Sequence, residues 1–389
     1  MRPWAVATVV AAGSLLHALA LEGTDPIEDE HFHAAQIRRM ARGDFGLDPE
    51  VTTLPGYHVI LAAAAGGTGL TSLAGLRAFS ALIALGSVPI FHLARRWLGH
   101  PEDGLVSLQY FFLPVLFPFH GLVYTDGLAV ALVLASLALA LRGRAVCSAF
   151  AAAAAVLVRQ TSVVWVPLAA ALSVRRDGWG SRTRLGLAAH AATLAAFAVF
   201  VVANQGVAIG DREQHPFPVL ESGNIWLFLA LCFVCFLPLH VARAPDVLRS
   251  ARDYRRLAAV LVALVVAGVS TFQSDHPYNV SPTYLRSQWL AFLTASQVHR
   301  LAAAAVMAWT ALSLLSTPLA GGLGALFWVS TVLALAPAWL VEPRYSAVPM
   351  TLYLLLREPG PAWAERMTLV THVTCCLFLT AGLSERVVP

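Results

Sequence analysis

Residues 104–141 read GLVSLQYFFLPVLFPFHGLVYTDGLAVALVLASLALAL, two apolar runs joined by the short polar motif Tyr124-Thr125-Asp126. A spanning helix needs ~20 apolar residues, somewhat fewer where it is short or broken. The stretch therefore reads as two membrane crossings that meet at a polar hinge on one face. The same alternation runs through the chain, with apolar segments near 4–20, 76–96, 104–122, 127–141, 145–157, 160–174, 185–208, 223–241, 257–272, 299–318, 322–340, 346–357 and 367–384. They predict an all-α, polytopic transmembrane helical protein with about 13 membrane spans. The run 56–66 is read as lying along the interface instead. With 58% of residues hydrophobic and 12% charged, the composition belongs to no soluble class. Two modules are expected, an N-terminal one over 1–208 that includes a loop at 22–75, and a C-terminal one over 209–389.

Short polar motifs punctuate the apolar runs: Asp29-Glu30-His31-Phe32-His33, Asp48-Pro49 with Thr52-Thr53-Leu54-Pro55-Gly56, Tyr124-Thr125-Asp126, Arg159-Gln160-Thr161, Gly210-Asp211, His276-Pro277-Tyr278 and Glu342-Pro343-Arg344-Tyr345. Cytoplasmic loops carry the excess of positive charge, and every Lys or Arg here is Arg. Starting with Arg2 inside, the alternation puts Arg95-Arg96, Arg142, Arg144, the 175–184 loop, the 243–256 loop, Arg357 and Arg366 on the cytoplasmic side. It puts all the polar motifs on the other. The formal charge of +4 is explained by cationic loops beside anionic membrane lipids and calls for no nucleic acid.

Met1-Arg2, an apolar core and Ala18-Leu19-Ala20 have the form of a cleavable signal peptide, but a retained first helix is expected, because a loop attached to an anchored helix is better held in position. Cys147, Cys232, Cys235, Cys375 and Cys376 all fall in predicted spans and read as small core residues rather than a disulfide framework. There is no Walker loop and no glycine-rich dinucleotide fingerprint. The energy for any reaction is then expected from a substrate already in the membrane.

Taken in order from Asp29 to Tyr345, the motifs resemble the dolichyl-phosphate-glucose α-1,2-glucosyltransferase family, which adds the last glucose to the lipid-linked precursor of N-glycans. The resemblance rests on Asp-Glu-x-Phe-His, Asp-Pro with Thr-Thr-x-Pro-Gly, Tyr-Thr-Asp, Arg-Gln-Thr-x-x-x-Trp ending at Trp165, Gly-Asp-x-x-x-His ending at His215, His-Pro-Tyr and Glu-Pro-Arg-Tyr. This chain has Ser162 and Ser346 where the family leads one to expect Asn and a second Tyr, and Asn279-Val280-Ser281-Pro282-Thr283 follows the His-Pro-Tyr motif. The resemblance implies a GT-C membrane glycosyltransferase fold, a dolichyl-phosphate glucose donor, a diglucosylated lipid-linked oligosaccharide acceptor, and a multi-pass protein of the endoplasmic reticulum membrane with a luminal site. The alternative enzyme is a bacterial inner-membrane glycosyltransferase that uses a polyprenyl-phosphate sugar on a cell-envelope glycan at the periplasmic face. A transporter, the alternative of another class, is disfavoured because its site would lie near the bilayer midplane between repeats, and no internal repeat is seen.

Moving a sugar from a phosphate to a hydroxyl needs a carboxylate base, cations for the departing phosphate and a dry pocket. Asp29 is the expected base, with Glu30 the alternative; otherwise both cap a helix over about Ile27 to Arg42. Arg159 and Arg344 are the expected phosphate ligands, since a guanidinium matches phosphate in a planar fork and Arg159 is costly in its apolar flank unless it is paired or faces a polar cavity. Snorkelling to headgroups, or for Arg344 pairing with Glu342, is the alternative. His33, Tyr124, Asp126, Gln160, Asp211, His215, His276, Tyr278 and Tyr345 are the candidate substrate contacts, although Asp126 before Gly127 also looks like a helix cap. Asp29, His31 and His33 form a metal set only in an extended segment; in a helix positions two apart diverge, so no metal and no cofactor are expected.

The topology is testable. Cysteines introduced at Glu22 and Ser281 are expected to react with an impermeant thiol reagent from the side opposite the arginine-rich loops, and one at Gly178 is not. Labelling of Gly178→Cys together with Glu22→Cys would remove the common face.

Overall fold

A computed structural model describes residues 3–100, 104–253, 274–281 and 285–384, and, between 253 and 274, residues 259, 262, 263, 266, 270 and 272. The helices are α1 Pro3–Ala20, α2 Glu30–Ala41, α3 Gly56–Thr68, α4 Leu73–Trp97, α5 Gly104–Phe111, α6 Thr125–Leu141, α7 Ala145–Val158, α8 Val166–Asp177, α9 Ser181–Asn204, α10 Gly223–Ala242, α11 Ala244–Asp253, α12 Leu285–Thr294, α13 Gln297–Leu315, α14 Gly324–Leu335, α15 Ala347–Leu356 and α16 Ala362–Ser384. No strand occurs among the described residues beyond an isolated bridge between Leu319 and Arg357. Five helices, α4, α9, α10, α13 and α16, are long and apolar enough to cross a membrane, and α1, α6, α7 and α14 are shorter apolar helices. The chain is an all-α, multi-pass membrane protein.

Its surface agrees with lipid as the solvent. Only 11% of the apolar window of α9 is buried, and Leu185, Val199 and Val202 stand exposed along it. In water such a face would be an association surface; against acyl chains it is satisfied. The interior is continuous across α4, α5, α6, α8, α10 and α15 through Phe91, Phe111, Leu134, Leu168, Phe236 and Leu354. A second cluster, with Ile37, Tyr57, Leu61, Leu76 and Ala129, docks α2 and α3 onto α4 and α6. At 13 residues, α3 is about 20 Å long and, like the 12-residue α2, is shorter than the ~30 Å hydrocarbon core of a bilayer.

Several predicted spans differ in form. The run 104–122 is not one helix: α5 stops at Phe111, and the chain turns through a 3₁₀ segment at Phe117–His120. Pro114 and Pro118 each remove an N–H and restrict the residue before them, which ends helical propagation. The segment 160–174 opens with a 3₁₀ turn, Gln160–Trp165, before α8. The run 322–340 yields a helix only to Leu335, just short of Pro337. The helix read as Ile27 to Arg42 begins at Glu30, and the predicted span 257–272 lies outside the described residues.

Two arginines read as cytoplasmic loop charges are instead buried. Arg95 donates through Nη1 to the carbonyls of Leu354, Leu355 and Arg357, satisfying the end of α15. Arg357 pairs with both oxygens of Glu365 at 2.6 Å.

At the opposite end of the bundle a buried pair organises the 21–30 loop. Arg77 on α4 meets Glu30 through Nε at 3.1 Å and Nη2 at 2.6 Å. The same guanidinium donates to the Leu21 and Asp25 carbonyls and to Thr24 Oγ1. Glu30 also accepts from the backbone N–H groups of Ile27 and Val123. Glu30 is fully buried, so removing its cation strands a charge at a cost of about 3–5 kcal/mol. Arg77→Leu is expected to lower the thermal unfolding temperature in detergent markedly, and Glu30→Met combined with Arg77→Leu to recover part of the loss. An unchanged melting curve for Arg77→Leu would remove the clamp from the account of stability.

Candidate active site

The ends of α6, α7, α14 and α15 nearest the polar motifs open on a cavity of about 610 Å³, lined by Asp29, His33, Thr52, Tyr124, Asp126, Arg159, Gln160, Asp211, His215, Tyr278, Arg286, Glu342, Arg344 and Tyr345 among others. Motifs separated by hundreds of residues thus converge.

Two glycines make the convergence possible. A Cβ on Gly56 would lie 2.6 Å from the Leu157 carbonyl oxygen, so the Thr-Thr-Leu-Pro-Gly segment packs directly on the end of α7, beside Arg159. A Cβ on Gly210 would lie 2.3 Å from the Pro49 oxygen and 2.5 Å from that of Val51. Only a residue without a side chain lets this loop lie so close, and Asp211 follows it into the cavity wall. Gln160 joins the two loops, its amide donating to the Thr52 carbonyl at 3.0 Å and the Val207 carbonyl at 3.1 Å.

Asp29 occupies the position before α2, yet its side chain makes no capping bond. Its Oδ2 accepts from Arg344 Nη1 at 3.1 Å, and its backbone N–H is held by the Tyr124 hydroxyl at 3.0 Å. Burial acts to raise this carboxyl, but the charge and hydrogen bond of Arg344, aided by His33 and Arg286, overcome it and hold the group below the ordinary carboxylate range. Asp29 is therefore an ionised carboxylate at the cavity. Glu30 is engaged elsewhere. Its four contacts to Arg77, Ile27 and Val123 use both oxygens, and it is not among the cavity-lining residues.

The cations are held by carboxylates. Arg159, extended at the end of α7, is ion-paired with Asp126 and lies 5.4 Å from the Tyr345 ring centre. Asp126 is thus a buried partner in the first turn of α6 rather than its cap, a position that Tyr124 holds. Arg344 donates through Nε to Glu342 at 2.6 Å, and Glu342 also reaches Arg286 at 3.6 Å. A guanidinium carries more N–H donors than these contacts use, and the aromatic faces of Tyr124 and Tyr345 flank Arg344.

His33 lines the cavity and bonds through Nδ1 to His58 Nε2 at 2.9 Å, with burial lowering its pKa to about 4 against the opposing pull of Asp29. His31 also borders the cavity, but its Nδ1 is taken by the Glu28 carbonyl at 2.6 Å. His215 lines the wall, its pKa lowered by burial and by Arg344. His276 is not a lining residue: Nδ1 caps the turn Pro277–Val280, and Nε2 meets the Gln214 carbonyl at 3.3 Å, so it shapes the wall that Tyr278 lines. Arg286, Arg77 and His58 escaped the sequence reading. An ionisable residue close to an apolar run, as Arg77 is in α4, was the available signal; Arg286 and His58 belong to no motif that pointed to them.

The sequence matches the model of the DIE2/ALG10 family over residues 23–184 and 181–355, which takes in every motif at the cavity. The chain belongs to the DIE2/ALG10 family. Three similar curated proteins are each named Dol-P-Glc:Glc(2)Man(9)GlcNAc(2)-PP-Dol alpha-1,2-glucosyltransferase. That of Debaryomyces hansenii is 22% identical over 90% of this chain and 87% of its own length. That of Mus musculus is 24% identical over 96% and 93%, and that of Drosophila melanogaster 32% identical over 43% and 39%. Among solved structures, ArnT from Cupriavidus metallidurans bound to undecaprenyl phosphate aligns with a TM-score of 0.45 and 15% identity over 94% of this chain and 77% of that one.

Proposed function

We propose that this protein is an inverting glucosyltransferase of the GT-C type. It transfers glucose from dolichyl-phosphate glucose to the diglucosylated lipid-linked oligosaccharide in α-1,2 linkage, as the last glucose of the N-glycan precursor. Its site faces the lumen of the endoplasmic reticulum. Membership of the family and the names of its relatives support the reaction. The observation that carries the reading is Asp29, not used as a cap and bonded to Arg344, facing a cavity that also holds Arg159, Arg286 and Arg344.

In this mechanism Asp29 accepts the proton of the acceptor hydroxyl, whose oxygen attacks the anomeric carbon of the donor. The bond from that carbon to the phosphate oxygen breaks, and its electron pair stays on the phosphate. Attack opposite the β-linked phosphate gives the α product. Arg159 and Arg344 stabilise the charge that develops. They arrive already oriented by Asp126 and Glu342, so little reorganisation is needed at that moment. Val163, Val164, Phe197 and Val348 line part of the cavity and suit a polyisoprenyl donor, and an apolar wall restricts the water that would otherwise compete. Tyr124, Gln160, Asp211, His215, Tyr278 and Tyr345 remain the proposed sugar and phosphate contacts.

Asp29→Asn is expected to insert and fold yet lower turnover with dolichyl-phosphate glucose at least ~10²-fold, the lower range of general-base catalysis, while Glu30→Gln shows its main effect in thermal stability. Wild-type turnover in purified Asp29→Asn would take the base away from this residue.

The pH dependence follows from the same contact. Since Arg344 depresses the Asp29 pKa, the acidic limb of kcat/KM is expected below the ordinary carboxylate range. Arg344→Gln removes the cation, which raises that pKa and moves the limb toward neutral pH. A limb that stays in place in Arg344→Gln would mean that another group controls it.

A further inference from the structure

His33 and His58 form a buried pair that the transfer chemistry leaves unused. His58 is fully buried on α3, and its Nδ1 meets no hydrogen-bond partner among the described residues. Its Nε2 lies 2.9 Å from His33 Nδ1. The two rings are boxed in by Tyr57, whose ring centre is 6.0 Å from that of His33 and 5.5 Å from that of His58, and by Tyr124 at 5.6 Å from His33.

With both imidazoles neutral, two arrangements satisfy the contact. In the first, His33 donates from Nδ1, and His58 must carry its own proton on Nδ1, leaving a buried N–H with no acceptor. In the second, His58 donates from Nε2 and its Nδ1 is a bare lone pair. Orphaned buried N–H groups are the rarer defect. The second arrangement leaves His33 Nδ1 as acceptor, so the His33 proton is on Nε2, the nitrogen not used by the pair. The surroundings keep the His33 ring neutral: its burial, with the positive charges of Arg344 and Arg159, outweighs the attraction that Asp29 exerts on the charged form.

We propose that His58 locks His33 as a neutral imidazole presenting an Nε2–H donor to the cavity, so that His33 hydrogen-bonds a substrate oxygen and is not a base. The substrate's identity rests on the function proposed above; the locked tautomer does not. His33 is the substrate-touching residue, and His58 is a positioning residue that acts through it. The oxygen belongs either to the donor phosphate or to an acceptor sugar hydroxyl, both of which accept a hydrogen bond.

The test joins a spectroscopic and a kinetic measurement. Solid-state NMR of the full chain in lipid bilayers, with ring-nitrogen-labelled histidine, reads each tautomer directly, and difference spectra with His33→Gln and His58→Gln assign the two rings. Both are expected neutral and protonated at Nε2 at neutral pH. A His33 protonated at Nδ1, or doubly protonated, overturns the proposal whatever the enzyme's substrate. In the transfer assay His58→Leu is expected to lower kcat/KM about tenfold, the upper range for loss of one neutral hydrogen bond. His58→Gln, which keeps a donor near the Nε2 position, is expected to restore most of it, and His33→Gln to exceed His33→Leu for the same reason. An increase confined to the donor KM assigns the oxygen to the phosphate, and one confined to the acceptor KM assigns it to the glycan. Wild-type kinetics in folded His58→Leu would overturn the positioning role. Failure of the wild type to use dolichyl-phosphate glucose would sink the proposed reaction while leaving the tautomer measurement to decide the pair.

Discussion

The buried ion pair between Glu30 and Arg77 is the constraint on which the rest of the cavity depends. Arg77 sits at the start of an apolar helix, where a lone guanidinium would be costly, and its partner lies on the first turn of a short helix. The pair also collects the carbonyls of 21–25 and the backbone N–H of Val123. One contact set therefore ties the end of α1, the start of α2, α4 and the entry to α6. Asp29 and Tyr124 are the immediate chain neighbours of Glu30 and Val123, so the clamp fixes where the carboxylate and its hydroxyl support meet.

Around this anchor the cavity is an array of opposite charges rather than a basic patch. Asp126 holds Arg159, Glu342 holds Arg344 and Arg286, and Asp29 adds a second contact to Arg344. In a site bounded by apolar helices such charges interact more strongly than in water, and each is tolerable because it has a partner. An anionic substrate entering here would meet guanidinium groups whose positions are already set, with carboxylates that share their field. The same arrangement keeps one carboxylate, Asp29, ionised without sealing it off.

The architecture was legible wherever a helix was long. The runs around α4, α9, α10, α13 and α16 stand out because lipid solvates them on a broad face, and the sequence must be apolar nearly all round. Legibility failed where a helix stopped short beside proline, at Pro114, Pro118 and Pro337, while α4 and α10 run on through Pro89 and Pro238, since hydropathy registers the apolar character of a segment and not its backbone. Arginine bias was similarly incomplete. Arg95 and Arg357 lie at the side expected for loop charges, but they are buried and fasten helix ends, a distinction composition does not carry.

At the cavity, the sequence by itself determined which motifs would share one end of the bundle, because membrane helices must alternate in direction and each motif sits at a helix end. It also singled out Asp29, Arg159 and Arg344 as the charged groups expected to carry the chemistry, Arg159 because a guanidinium in an apolar flank needs a partner or a polar cavity. Only the tertiary structure decided which of Asp29 and Glu30 lines the cavity, since adjacent carboxylates are equivalent on paper until one finds Arg77 across 47 positions of chain. It likewise decided that Asp126 is an ion-pair partner, that His276 shapes a wall, and that His58 stands behind His33. Those assignments depend on which side chains meet across helices, and pairwise contact in three dimensions has no periodicity along a single chain.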